Sequence, residues 1–377
     1  MVAGEASGDQ LGAHLMRALR AHLPQARFTG IGGPRMEAEG MRSLFPLEKL
    51  AVRGYVEVLR HYLEILAIRR ALAAHFRREP PALFIGVDAP DFNLKLELEL
   101  RRAGVPTAHY VGPQIWAWRA QRIRLIRRAV EKMLVVFPFE QALYERAGVP
   151  VAYVGHPLAD LLARVPRRAA AREQLRVAPG ARVVALLPGS RVSELEHMAD
   201  LFVRSAALVA QAAGEVHFLV PCVSRATREL FEAALARGAP PPRVTLLFGH
   251  AHEAMSAADV VLAAAGTATL EAALLGRAMV VTYRMPRATW WIMNHRRYQP
   301  YAALPNILAG EYLVPEFLQD EATPENLAQA VVNLLEDDAV RARLEARFAA
   351  MAQELRCDSA QRAVEALLPL LGSRGVR

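Results

Sequence analysis

Lysine is almost absent from this chain: of 46 basic residues, only Lys49, Lys95 and Lys132 are lysines and the rest are arginines. Together with abundant alanine, this is what a GC-rich coding sequence produces, so the arginine count alone says little about function. Cysteine is equally scarce. Cys222 and Cys357 lie far apart, so neither a disulfide framework nor a C-x-x-C metal pair can be written, and a reducing compartment is the default expectation. No run of about 18 apolar residues exists, which excludes a transmembrane helix. The N-terminus shows no basic region and no cleavage site of a secretory signal.

Catalytic and binding signatures are missing as well. No G-x-G-x-x-G opens a helix, which weakens a dehydrogenase reading, and there is no G-x-x-x-x-G-K-[ST] phosphate loop. There is no G-x-S-x-G elbow and no S-x-x-K. No D-x-D pair is present, which removes the usual carboxylate site for a metal-bridged sugar nucleotide. His250 and His252 flank Ala251 at a spacing too loose to read as a metal site, so no metal is expected.

What is present is a large apolar fraction. The 377 residues are 53% hydrophobic and 22% charged, enough to bury a sizeable core and to exclude general disorder. At roughly 150 residues per domain, two domains are expected. The formal net charge of +8 favours anionic partners such as nucleotides, phosphates or anionic lipid.

Short apolar runs alternate with helical patterns throughout, which predicts parallel sheets covered on both faces. In the first half the runs are Arg27–Ile31, Leu83–Val87, Pro106–Val111 and Lys132–Phe137. In the second they are Val183–Leu187, Val216–Val220, Val244–Phe248, Val260–Ala264 and Ala278–Tyr283. Leu195, Met198, Phe202 and Val209 mark one face of a helix over Ser193–Ala213, and Thr323-Pro324-Glu325 is a strong helix start. The break between halves is expected within Asp160–Pro179. The opening Met1–Asp9 reads as the tail of a strand entering a Gly/Ser loop. A strand of one or two residues anchors a sheet poorly, so a truncated start is expected. The fold class is α/β: two doubly wound domains with a cleft between them.

Three strand ends stand out. Gly189-Ser190-Arg191 follows an apolar strand and opens a helix, where free amides, a hydroxyl and a guanidinium suit a phosphate. An ordinary turn with a surface arginine would look the same. Gly266-Thr267 is a second loop of this kind; Glu271, about one turn in, suits a ribose diol or merely complements the helix dipole. In the first half, Asp88 stands at a strand's carboxyl end, where a general base is expected, whereas Asp91 is expected to cap the next helix.

Two further stretches invite surface contacts. The helix over Tyr55–Leu72 presents Val56, Leu59, Leu63 and Leu66 on one face with arginines beside them; it suits a membrane interface or an internal packing face. Trp116-Ala117-Trp118-Arg119 opens a basic stretch that suits a cleft wall, an anionic lipid surface or a solvated face better than nucleic acid.

Taken in order, these runs resemble the lipid-A-disaccharide synthases. The matching segments are Val2-Ala3-Gly4-Glu5-Ala6-Ser7-Gly8-Asp9, Gly33-Pro34-Arg35-Met36, Val87-Asp88-Ala89-Pro90-Asp91-Phe92-Asn93, Trp116-Ala117-Trp118-Arg119, Leu187-Pro188-Gly189-Ser190-Arg191 and Leu304-Pro305-Asn306. They span nearly the whole chain, from Val2 to about Cys357. The Asp-Ala-Pro-Asp-Phe-Asn and Trp-Ala-Trp-Arg runs are specific, whereas Gly-Thr-x-x-Leu-Glu is shared more widely among glycosyltransferases with two Rossmann-like domains. The family has a full strand before the position of Val2, in line with a truncated start.

The resemblance implies a GT-B type fold: an acceptor-binding domain over residues 1–165, a UDP-sugar-binding domain over 166–355, and a helical segment over 356–377 packing back on the first. It implies an inverting transfer that joins UDP-2,3-diacylglucosamine to 2,3-diacylglucosamine 1-phosphate and releases UDP, without cofactor or metal. Asp88 would be catalytic, and Gly189, Ser190, Arg191, Gly266, Thr267, Glu271 and Asn306 would bind UDP. Glu5, Ser7, Gly8, Asp9, Trp118 and Arg119 would face the acceptor. The expected setting is the cytoplasmic face of the inner membrane, as a peripheral protein that does not bind nucleic acid, and the resemblance leaves room for a homodimer. Three other readings compete: a hexosamine-nucleotide epimerase, a transferase acting on a peptidoglycan lipid intermediate, and a nucleic-acid binder.

Overall fold

The computed structural model describes residues 1–50, 55–117, 119–238, 243–294 and 298–372. The chain forms two compact units, Met1–Pro157 with Leu355–Arg377, and Leu158–Glu354. The first crossing precedes the expected break because the helix Arg168–Gln174 belongs to the second unit. Its Arg172 is buried there, with Nε donating to the Ala257 carbonyl at 2.9 Å and Nη2 reaching both oxygens of Asp259 at 3.0 Å. The second crossing falls at Leu355, whose carbonyl accepts from the His156 amide at 2.8 Å. The helix Ser359–Gly372 that follows packs on the helix Ala6–His22 of the first unit.

In the first unit the strands are β1 (Val2–Ala3), β2 (Phe28–Gly30), β3 (Met41–Ser43), β4 (Phe84–Val87), β5 (Thr107–Tyr110), β6 (Lys132–Val135) and β7 (Val151–Tyr153). The main sheet runs β1-β4-β5-β6-β7, every pair parallel, and a parallel bridge from Val2 to Ile31 ties the β2-β3 pair to its open side. The two-residue β1 is thus an interior strand, fully buried between β4 and Ile31. The chain builds outward from β1 to β3, then restarts at β4 on the other side.

The second unit repeats this plan with β8 (Arg182–Leu187), β9 (Val216–Cys222), β10 (Val244–Phe248), β11 (Val260–Ala264), β12 (Ala278–Tyr283) and β13 (Glu316–Leu318). The order is β10-β9-β8-β11-β12-β13, all parallel. The restart lies between β8 and β11. These strands are near-continuous Val, Leu and Ala because both faces are covered. The helix Val192–Ala213 buries Leu195, Met198, Phe202 and Val209 against them. The helix Pro324–Glu336 starts as its sequence dictates, with Thr323 accepting from the Asn326 amide at 3.2 Å.

The segment after β5 is pinned by a buried carboxyl. Glu140 lies in the first turn of the helix Pro138–Arg146. Its Oε2 accepts from the Phe137 amide and its Oε1 from the Trp116 indole, both at 3.1 Å. Trp116 is therefore an internal residue, packed edge-on against Phe139 at 5.3 Å. Burial pushes the Glu140 carboxyl up to about 7. A carboxyl raised on folding contributes stability that is complete below its unfolded value and is lost as pH rises through the folded one. Between pH 5 and 8 the parent should therefore lose about 2–3 kcal/mol relative to Glu140→Gln. Urea unfolding of both proteins at the two pH values measures this. A difference that does not change with pH would mean that Glu140 is ionised in the native state throughout.

Candidate active site

In an open parallel sheet, ligands bind at the carboxyl edge where the strand order reverses. In the second unit that point lies between β8 and β11, and the two loops there are the Gly189–Arg191 and Gly266–Glu271 segments. Thr267 and Ala268 begin the helix Thr267–Leu274, and no side chain caps it. Ser190, Arg191, Gly266 and Thr267 are all exposed.

The first of these loops already holds an anion from within the chain. Glu194 Oε2 accepts from the Ser190 amide at 2.9 Å and the Arg191 amide at 3.3 Å, and its Oε1 accepts from the Arg191 guanidinium at 3.0 Å. Burial, and after it the charge of Glu194, hold the nearby Tyr283 phenol above its usual value. Sequence reasoning missed Glu194, although its place three residues after Arg191 is the spacing of a capping box. In the second loop, Glu271 pairs with His252 at 3.0 Å, and this hydrogen bond raises the imidazole above its ordinary range. His252, on the helix Ala251–Ala257, was also missed, and no local pattern reveals a partner that far along the chain.

The helix Leu304–Ala309 packs on the helix Thr267–Leu274, but the side chain of its Asn306 is committed within its own segment. Asn306 is completely buried, its amide donates to Val314 O and Glu316 Oε1, and its Oδ1 accepts from the Leu313 and Val314 amides. Every polar atom of its side chain is thus committed to closing the 306–316 segment. A cavity of about 570 Å³ lies elsewhere along the helix Val192–Ala213, lined by Glu196, Asp200, Arg204, Arg284 and Asp320 among others. Its lining mixes both signs and touches neither loop.

In the first unit the reversal lies between β1 and β4, and the loops there are Gly4–Asp9 and Asp88–Asn93. They meet directly: a Cβ on Gly4 would sit 2.3 Å from that of Ala89. Asp88 follows β4 in the left-handed conformation, with φ 52°. Its carboxylate is half-buried and has no hydrogen-bond partner among the described residues. In the facing loop, Ser7 donates to Glu5 Oε1 at 2.7 Å.

Several expectations need correcting here. Asp9 does not face an acceptor: it is 3% exposed and its carboxylate accepts from the amides of Gly33, Arg35 and Met36, holding the helix Pro34–Ala38. Gly8 is buried with its α-carbon side against Ala3 and the Val87 carbonyl. Asp91 is not the cap, because Ala89 takes that position and has no side chain to cap with. Asp91 is instead 77% exposed and pairs with Arg119 and Arg122. Trp118 lies outside the described residues, as do the side chains of Val56 and Leu59. Leu63 is 78% exposed and Leu66 half-buried, while Ile68, Leu72 and Phe76 further along the same helix are in the core. No helix among the described residues is long and apolar enough to cross a membrane, and no group of His, Cys, Asp and Glu among them could hold a metal ion.

Solved structures with the same fold include a UDP-GlcNAc 2-epimerase from Neisseria meningitidis bound to UDP-GlcNAc. Its TM-score is 0.57 at 13% identity, over 96% of both chains. Another is a glycosyltransferase from Rickettsia africae, with TM-score 0.56, 12% identity, and coverage of 99% of this chain and 96% of that one. These likenesses establish a two-domain α/β fold of the GT-B type and, at such identity, nothing about chemistry. Sequence relatives go further. The chain is 56% identical over 375 residues to the lipid-A-disaccharide synthase of Azoarcus sp., covering 99% of this chain and 96% of that protein. It is 49% identical over 377 residues to that of Alkalilimnicola ehrlichii, covering 100% and 99%. The profile described as lipid-A-disaccharide synthetase matches residues 1–367, which sets aside the epimerase, peptidoglycan and nucleic-acid readings. The chain belongs to the lipid-A-disaccharide synthetase family and is a glycosyltransferase of lipid A biosynthesis.

Proposed function

We propose that this chain joins UDP-2,3-diacylglucosamine to the 6-hydroxyl of 2,3-diacylglucosamine 1-phosphate, with inversion at the anomeric carbon. The observation that supports this most is the pairing of functions at strand ends. A carboxylate without a partner among the described residues stands at the reversal point of one sheet, and two anion-ready loops stand at that of the other. The acceptor oxygen forms its bond to C1 of the donor as the bond from C1 to the diphosphate oxygen breaks. The hydroxyl proton passes to Asp88, and the electron pair leaves with UDP. One displacement without a covalent enzyme intermediate takes the α-linked donor to a β-linked product.

Charge developing on the leaving diphosphate falls to the free amides at Thr267 and Ala268, and to the Ser190 and Arg191 donors that Glu194 now holds. Glu271, oriented by His252, keeps one oxygen for the ribose diol. Glu5 and Ser7 line the acceptor side. The acyl chains of both substrates give the exposed Leu63 a purpose, as part of a contact with the cytoplasmic face of the inner membrane.

Incubation with donor and acceptor, followed by mass detection of the disaccharide phosphate and of free UDP, tests the reaction as a whole. UDP release without a disaccharide would defeat it. Asp88→Asn keeps size and shape but removes the base, and should lower turnover by about 10²–10⁴-fold with UDP affinity unchanged. Near-parental turnover under saturating substrates would move the base elsewhere.

Arg191→Ala should weaken UDP binding by about 1.5–3 kcal/mol, the worth of a hydrogen bond to a charged group. Calorimetry giving the parental affinity for a folded variant would remove Arg191 from the site.

Leu63→Ser should weaken vesicle binding about 10–150-fold, since burying one leucine is worth about 1.5–3 kcal/mol. It should leave stability within about 0.5 kcal/mol, as surface substitutions do. Unaltered sedimentation with anionic vesicles would exclude Leu63 from a membrane contact.

A further inference from the structure

Asn93 is completely buried, and its side-chain amide makes two hydrogen bonds that bridge the reversal point of the first sheet. Nδ2 donates to the Asp88 carbonyl at 2.8 Å and to the Val2 carbonyl at 3.1 Å. Val2 is in β1, and Asp88 directly follows β4. The Asp88 amide, for its part, donates to the Tyr110 carbonyl of β5 at 2.8 Å. The backbone of Asp88 is thus gripped on both sides. It needs to be, because Asp88 and Ala89 are both left-handed, at φ 52° and 46°. Without glycine that conformation costs roughly 1–2 kcal/mol per residue and persists only where the surroundings over-determine it.

Beneath Asn93 lies more buried polarity than packing calls for. Glu97, one turn further along the helix Pro90–Arg102, pairs with His109 of β5 at 2.7 Å, and both are completely buried. Asn93 Oδ1, Glu97 Oε2 and His109 Nε2 are buried with no hydrogen-bond partner among the described residues. Room for this group exists because residue 86 is glycine: a Cβ there would lie 2.1 Å from Glu97 Oε1 and 2.9 Å from Asn93 Cβ. An apolar plug would fill the space at lower cost, since buried polar groups are expensive unless fully paired. Burial raises the Glu97 carboxyl above its ordinary range.

We propose that Asn93, backed by Glu97 and His109, is a positioning residue: it holds the left-handed turn that presents the Asp88 carboxylate at the reversal point. The inference rests on the reading of Asp88 as general base. A group that acts only through Asp88 has a signature that a packing residue lacks. Asn93→Ala should lower kcat by about 10–100-fold, the range a misplacement near 1 Å produces, while the KM for donor and acceptor stays within about twofold. The double variant Asp88→Asn, Asn93→Ala should be no slower than Asp88→Asn alone, because the effects of residues that work as a unit do not multiply.

A double variant slower by the product of the two single effects would overturn the inference while leaving the base in place. Parental kcat per folded molecule in Asn93→Ala would overturn it as well. Near-parental turnover of Asp88→Asn would instead remove the base reading on which the inference rests. Should Asn93→Ala fail to fold, the same cycle can be run with Ala89→Gly in every protein, since glycine holds the left-handed turn without a Cβ penalty.

Discussion

The constraint behind both candidate sites is the parallel sheet that grows outward from one strand and then restarts on that strand's other side. Loops leaving β1 and β4 must diverge to opposite faces, and so must those leaving β8 and β11. Each divergence opens a crevice whose walls are the first amides of helices and the last residues of strands. In the first unit it gathers Glu5, Ser7 and Asp88; in the second it gathers Ser190, Arg191 and Thr267. None of these residues is close in sequence to its counterpart in the opposite loop. The apolar strands that look like mere core are what bring them together.

That logic explains what could be read from the sequence. Strands of four or more residues announce themselves as apolar runs, and β8, β11 and β12 were legible almost to their ends. β3, β7 and β13 are three-residue segments, too short to show a period. A strand end followed by Gly-Ser-Arg or Gly-Thr is likewise visible. Whether a polar side chain at such a place is free or already committed is not. Asp9 and Asn306 sit in family-matching segments just as Asp88 and Ser190 do, yet one holds a helix start and the other closes a loop. Asp91 looked like a cap because it follows a strand by a few residues. The backbone placed Ala89 there instead and left Asp91 to two arginines. Contacts such as His252 with Glu271 have no local signature at all.

A chain so rich in arginine suggests that a diphosphate would be met by full cations. Instead, most of the donors at the second reversal point are backbone amides, which present partial positive charge at little desolvation cost. Arg191 adds the one full charge in the loop, and Glu194 tempers it. The magnitudes decide which anion wins there. The Arg191 side chain is 49% exposed, so its pair with Glu194 is screened by solvent and belongs to the class worth about 0–1 kcal/mol. A charge-assisted hydrogen bond to a phosphate oxygen is worth about 1.5–3 kcal/mol. In the proposed reaction a diphosphate would therefore take these donors over from Glu194 at small cost. On the proposed assignment, Glu194 keeps the helix start ordered and its donors aimed until the substrate supplies a stronger anion, and no metal is needed to hold the leaving group.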